Sequence, residues 1–370
     1  MKGKHHKHPP IKRPKRGLFH RVEWAIYGTN CGTISDLVST VQAGLISDYK
    51  ILYVDADHNV EEMKTTFQVG KKQYHLPTAI TWNEYDDKLQ PWQVDATLVN
   101  GNHYTADRQI VILDPKKKDS LQRRIDQLTA VDLIITLDSE TDVYGFLEDK
   151  ITDATVKLHI DSPEQIIAYI KENIRLSQPS LKAVILAGGK SQRMGIDKSE
   201  LTYHNAAQQV HIANICKKIG LETYISKSHD YENDLINDYP VLKDRFIELG
   251  PFGAICTAMM HDPDAAWLVL ACDLPFLDEV TIKHLIDQRK FNASATAYKL
   301  SDQKFPEPLI AIYEPRSYQR MLRFLSMGYA CPRKVLINSD THVISMKNEK
   351  AAYNANTPLE REEAIKTINS

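Results

Sequence analysis

From Phe19 onward, short apolar runs alternate with longer stretches in which apolar residues recur every three or four positions. A brief apolar run closing on a polar or glycine position predicts a buried strand, whereas the 3.6-residue recurrence predicts a helix. In the first half, VEWAIYG (Val22–Gly28), YKILYVDAD (Tyr49–Asp57), RQIVILD (Arg108–Asp114) and VDLIITLD (Val131–Asp138) read as strands. ISDLVSTVQAGL (34–45) and SLQRRIDQLTAV (120–131) read as helices between them. That order predicts a parallel sheet with helical crossovers.

DSPEQIIAYIKENI then offers a cap at Asp161 or Ser162, Pro163 in the first turn, and a helix to about Ile174. RLSQPS breaks it, and Pro179 with its polar neighbours makes 176–180 the best boundary. Beyond it the alternation restarts. LKAVILAGG (181–189), ETYIS (222–226), AWLVLACD (266–273), SATAYKL (294–300) and PLIAIY (308–313) read as strands. Helices are expected around QQVHIANICKKIG (208–220), GAICTAMM (253–260) and DEVTIKHLIDQR (278–289). The fold class is therefore α/β, with two domains at 18–176 and 181–370, each a mostly parallel sheet with flanking helices.

Length supports two domains, since 370 residues exceed what one core usually holds. A formal net charge of -2 carries no footprint of nucleic-acid binding. The five cysteines, Cys31, Cys216, Cys256, Cys272 and Cys331, are scattered and form no C-x-x-C pair. This argues against a disulfide framework or zinc site and for a reducing cytoplasm. No apolar stretch is long enough to cross a membrane, and no apolar signal core opens the chain. Residues 1–17 form a basic leader read as disordered: MKGKHHKHPPIKRPKR (Met1–Arg16) has no acid and little to bury. Its HHKH run (His5–His8) has no preformed cage for a metal.

The chemistry concentrates in AVILAGGKSQRMGIDKSEL (Ala183–Leu201). Ligands of open α/β sheets sit beyond the carboxyl ends of strands. Gly188 and Gly189 fall there, and without a Cβ they let backbone N–H groups approach a base or phosphate. Arg193 and Lys198 follow as charges for a triphosphate. Spaced as G-G-x-S-x-R-M-G-x-D-K after a strand, the stretch resembles the signature of the molybdenum cofactor guanylyltransferase (MobA-type) family. Leu186, Ala187, Gly188, Gly189, Ser191, Arg193, Met194, Gly195, Asp197 and Lys198 all match. Sugar-phosphate and cytidylyl relatives often carry L-A-A-G, so the paired glycine favours guanylyl transfer.

Later segments resemble the same family. VLKDRFIELGPFGAI (Val241–Ile255) places Asp244 where the family binds its guanine nucleotide, and LVLACDLPFL (Leu268–Leu277) places Asp273 at the carboxylate that holds Mg²⁺. KFPEPLIAIYEP (Lys304–Pro315), with Pro306, resembles the substrate-side strand. YNANTPLERE (Tyr353–Glu362) puts Asn354 and Asn356 where pterin or phosphate groups would bind. The N-T-P-x-E within it also reads as a helix start, with an Asn or Thr cap and Pro in the first turn. One departure stands out: ISKSHD leaves Ser228 where the family has a nucleotide-contacting Asn, a single hydroxyl in place of an amide.

In the first half, AIYGTNCGTISDLV (Ala25–Val38) has the order of a phosphate-binding loop but not its spacing, and Thr33 stands where the Lys would be. The layout resembles a degenerate MobB-type adaptor, with YVDADH (Tyr53–His58) at that family's second strand and turn. A structural or docking role is expected there, with His58 a loop histidine.

Taken together, the resemblance implies a Rossmann-like nucleotidyltransferase fold in the second domain. It implies transfer of GMP from GTP to Mo-bearing molybdopterin with release of pyrophosphate. Leu186–Gly189 would hold the nucleotide through the backbone, helped by Ser228 and Asp244. Lys198 and Arg193 would neutralise phosphate, and Asp273 would carry Mg²⁺. Molybdopterin would be the substrate, and a molybdoenzyme or cofactor-insertion protein the macromolecular partner, with neither nucleic acid nor membrane involved. The rival readings are CMP transfer to the pterin, NMP transfer to a sugar phosphate, and a non-catalytic nucleotide- or cofactor-binding scaffold. All of the enzymatic readings need the glycine rim at Gly189 and the carboxylate of Asp273 to open onto one surface.

Overall fold

A computed structural model of the chain describes residues 21–56, 65–69, 72–76, 86, 93–138, 141–188, 202–204, 206–355 and 357–369. They fall into two compact units, one within Lys15–Gln178 and one within Pro179–Ser370.

The first unit opens with β1 (Val22–Tyr27), α1 (Cys31–Leu45) and β2 (Ile51–Val54), followed by a hairpin of β3 (Thr65–Val69) and β4 (Lys72–Leu76). β5 (Ala96–Asn100), β6 (Arg108–Leu113), α2 (Lys118–Gln122), β7 (Val131–Thr136), β8 (Val156–His159) and α3 (Pro163–Leu176) complete it. Six strands form one sheet in the order β2-β5-β1-β6-β7-β8, parallel throughout. β1, β5 and β6 are buried at every residue but the first of β1 and of β6, because a parallel sheet is covered on both faces. Gly28 ends β1 with φ +93°, and a Cβ there would lie 2.2 Å from the Ile112 carbonyl oxygen, so no larger residue fits this turn.

The helix expected over 120–131 is not formed as one piece. α2 stops at Gln122, and a short 3-10 turn, Ile125–Gln127, follows. The reason lies in β6: the Gln109 side chain accepts the N–H groups of Thr129 and Ala130, at 2.8 and 2.7 Å, drawing them out of any helical ladder. Leu128 is buried in the core beside them. β2 is shorter than the Tyr49–Asp57 reading, and β5 and β8 were not anticipated.

The second unit runs β9 (Leu181–Leu186), α4 (Gln208–Lys218), β10 (Glu222–Lys227), β11 (Leu235–Ile236), β12 (Tyr239–Lys243), α5 (Gly250–His261) and β13 (Ala266–Ala271). α6 (Glu279–Asp287), β14 (Ala295–Lys299), β15 (Ile310–Tyr313), α7 (Arg316–Ser326), α8 (Pro332–Ile337), β16 (Thr341–Ser345) and α9 (Pro358–Asn369) follow. The eight strands lie in the order β11-β12-β10-β9-β13-β15-β14-β16. From β12 to β13 all neighbours are parallel, and beyond β13 the sheet turns mixed because β15 runs against both β13 and β14. Period-2 alternation sends Ala183 and Ile185 to one core with Ile212 and Leu285, and Val184 and Leu186 to the other with Phe252 and Met321. β9 is thus central and packed on both sides, which fixes the chain at the point where it leaves the sheet.

α9 begins as its sequence suggested. The Glu360 N–H donates to Thr357 Oγ1 at 3.3 Å, and Thr357 N–H donates to Glu360 Oε2 at 2.9 Å, a reciprocal cap. No helix among the described residues is long and apolar enough to cross a membrane.

Candidate active site

The carboxyl ends of β9, β10, β12 and β13 are laced together by main-chain bonds. Ala187 N–H donates to Ser226 O, Cys272 N–H to Leu186 O, and Asp244 N–H to Lys227 O. Gly188 comes next, so close to the end of β10 that a Cβ would stand 3.2 Å from Lys227 C and Ser228 N. The missing side chain is what lets the rim pack this tightly.

Above the rim lies a cleft of about 1070 Å³ whose lining includes Leu186, Gly188, Ser226, Ser228, Asp244 and Asp273. Five residues expected from sequence therefore share one surface: Leu186, Gly188, Ser228, Asp244 and Asp273. Ala187 is buried just beneath it. Gly189, Arg193 and Lys198 lie outside the described residues, as do Ser191, Met194, Gly195, Asp197, Asn356, His58 and the basic leader. Pro306 is buried and does not line the cleft. Asn354 does not line it either; it precedes Ala355, whose N–H donates to Asp273 O at 3.2 Å.

Asp273 occupies the first turn beyond β13 and is only 4% exposed. Its loop is braced from below, where Gln208 Nε2 donates to Leu274 O and a His204 ring nitrogen lies 2.8 Å from Pro275 O. His204 stacks on His211 with ring centroids 4.0 Å apart. Burial, with His204 adding to it, pushes His211 down to about 4, so it stays neutral near pH 7.

Asp244 sits at the end of β12, where Ser226 Oγ donates to its Oδ1 at 3.1 Å. Burial pushes the carboxyl up to about 6, against the Ser226 hydrogen bond and the charge of His229, which pull the other way. It is a carboxylate held at a cost, aimed at the cleft.

The described lining carries five carboxylates, Asp230, Glu232, Asp244, Glu248 and Asp273, and neither Lys nor Arg. A triphosphate can enter only with cations to meet its charge. Among the described residues no group of three or more His, Cys, Asp or Glu is placed to hold a metal. Mg²⁺ typically takes one or two carboxylates and fills its shell with phosphate oxygens and water. Asp273 fits such a role.

Sequence reasoning missed Lys227. It is 4% exposed, its Nζ donates to Ala187 O at 3.2 Å, and it lies 5.4 Å from the centre of the Tyr231 ring. The available signal was a lysine ending the buried run ETYISK, since lysines are rarely buried without a partner.

Residues 183–342 match the family described as "MobA-like NTP transferase domain". The chain is 32% identical over 184 residues to the molybdenum cofactor biosynthesis bifunctional protein of Synechocystis sp., covering 50% of this chain and 53% of that protein. It is 29% identical over 195 residues to the probable molybdenum cofactor guanylyltransferase of Carboxydothermus hydrogenoformans, covering 50% of this chain and 96% of that one. With the probable molybdenum cofactor guanylyltransferase of Flavobacterium johnsoniae it is 30% identical over 141 residues, 37% of this chain and 70% of that protein. The chain thus spans about half the length of the bifunctional relative and most of the other two.

Proposed function

Because this chain belongs to the molybdenum cofactor guanylyltransferase family, we propose that its second unit transfers GMP from GTP to Mo-bearing molybdopterin. The terminal phosphate oxygen of molybdopterin attacks the α-phosphorus; a P–O bond forms there, the bond to the β-phosphate oxygen breaks, and pyrophosphate leaves. No side chain serves as nucleophile, so catalysis is positioning plus charge compensation.

The observation that carries the reading is the convergence of Gly188, Asp244 and Asp273 on one cleft. Guanine presents adjacent N1–H and N2–H donors, and an ionised carboxylate, which only accepts, complements them at Asp244. Ser228 contributes a hydroxyl beside the rim. Asp273 would hold Mg²⁺, which when bound offsets the charge developing on the departing pyrophosphate. Lys198 and Arg193 supply the remaining positive charge. Pro306, Asn354 and Asn356 stand on the pterin side of this proposal, with Asn354 joined to the Asp273 turn through Ala355.

The first unit, residues 18–176, has a structural or docking role toward a molybdoenzyme or cofactor-insertion protein. Two contacts support this over nucleotide binding: Thr29 Oγ1 is committed to Asp114 Oδ2 at 2.9 Å, and Asn30 Oδ1 already accepts the Thr33 N–H at the start of α1. A phosphate would have to displace both. Cys31, Cys216, Cys256, Cys272 and Cys331, none of them in a disulfide, support a cytoplasmic setting.

Incubation with each of the four NTPs, Mg²⁺, and molybdopterin or a sugar-phosphate panel tests the assignment. GTP with molybdopterin should release pyrophosphate fastest. Preference for CTP or a sugar phosphate would replace the guanylyl assignment with one of its rivals.

A further inference from the structure

We infer that Lys227 is a positioning residue for the nucleotide, acting by holding the Ala187 carbonyl and so fixing where the Gly188 amide points; this rests on the nucleotidyl-transfer reading above. The Ala187 C=O and the Gly188 N–H belong to one planar trans peptide and point in opposite directions. Lys227 Nζ takes the carbonyl at 3.2 Å on the buried side. The Gly188 N–H is thereby turned the other way, toward the cleft that Gly188 lines.

Neighbouring groups leave this amide as the one to offer. The Ala187 N–H is spent on Ser226 O, and Leu186 O is spent on Cys272 N–H. No main-chain hydrogen bond among the described residues uses the Gly188 amide. A Cβ at Gly188 would stand 3.2 Å from Lys227 C and Ser228 N, so this residue lies directly against the end of β10 that carries the lysine. The residue type matters as well. A long stem ending in a cationic donor reaches the carbonyl from the end of β10 while lying against the face of Tyr231. The same ammonium puts a positive charge beneath a rim whose described lining holds five carboxylates.

The test uses the full chain labelled with ¹⁵N-glycine, the Gly188 cross-peak being assigned by its loss in Gly188→Ala. Mg²⁺ and GTP are titrated into wild type, Lys227→Met and Lys227→Arg, and the steady-state constants are measured on the same samples. In wild type the Gly188 amide should shift on GTP binding. In Lys227→Met that shift should vanish and the nucleotide KM rise roughly tenfold, as expected for losing a charge-assisted hydrogen bond, while kcat stays within about threefold. Lys227→Arg should recover most of both, because it restores a cationic donor. A wild-type shift and KM in Lys227→Met overturns the inference, as does a loss of kcat with KM unchanged. If Lys227→Met does not fold, Lys227→Gln, which keeps one neutral donor, should give an intermediate shift and KM, and wild-type values there overturn the inference equally. If wild type binds and uses another NTP, the guanylyl reading falls, and the same comparison with that nucleotide still decides Lys227.

Discussion

Replacing Asp244 by asparagine removes a charge and almost nothing else. An oxygen remains for Ser226 Oγ to bond, and the backbone bond from residue 244 to Lys227 O is untouched. What changes is the cost of a buried carboxylate. Its pKa is raised from 3.8 to about 6, and at about 1.4 kcal/mol per unit the ionised form carries a penalty of about 3 kcal/mol. Residual water contact trims this to about 2 kcal/mol. Because the folded value lies above the unfolded one, the stability linked to this group is fully present below pH 3.8 and is lost as pH rises through about 6. Asp244→Asn should therefore melt higher than wild type at about pH 7.5, by roughly 4–8 °C for a unit of this size. The gap should close toward about pH 4. Calorimetric scans at acid, intermediate and neutral pH read this directly, and nucleotide binding measured alongside should weaken by about tenfold or more. A variant that melts below wild type at neutral pH, or a gap that ignores pH, would refute the argument that this acid is held against its own stability for binding.

Two further outcomes follow from the geometry, and a third, at Lys198, from the signature that the sequence carries. Asp273→Asn should lower turnover by about 10²–10³-fold in a pyrophosphate-release assay while its melting temperature moves little, and excess Mg²⁺ should not restore it. Lys198→Ala should cost about 10²-fold in turnover with its circular dichroism unchanged; undiminished pyrophosphate release would remove Lys198 from the reaction, and no release even from wild type would favour the scaffold reading. Gly28→Ala, which pushes a Cβ onto the Ile112 carbonyl at positive φ, should destabilise the first unit by about 3 kcal/mol in urea melts and leave GTP binding intact.

The parts of the fold legible in sequence were those whose signal is local. β9, its glycines and the acid after β13 announce themselves because a central strand is apolar over its buried length and the chain must change character where it leaves the sheet. β12 escaped notice: Tyr239–Lys243 contains a proline, ends in lysine and is only partly buried, although Asn237 and Asp238 at positive φ mark a tight turn before it. The stretch 120–131 was read as a helix because its apolar spacing is helical, and nothing local reveals that Gln109 captures two of its amides. Lys227 shows in the sequence only as a lysine ending a buried run. Its meaning arises only when β10 pairs with β9 and brings an ammonium beneath a carbonyl 40 positions earlier.

The bond from Ala355 N–H to Asp273 O gives the molecule a built-in gauge. Ala355 packs with Tyr203 and Ala364 of the last helix, so the tether is sheltered from water at both ends. Deuterium should replace that amide proton only when the loop carrying the acid lets go. Its exchange rate therefore reports, one residue at a time, how firmly a ligand on the far side grips the loop, and loosening the final helix should be felt at the carboxylate before the rest of the sheet notices.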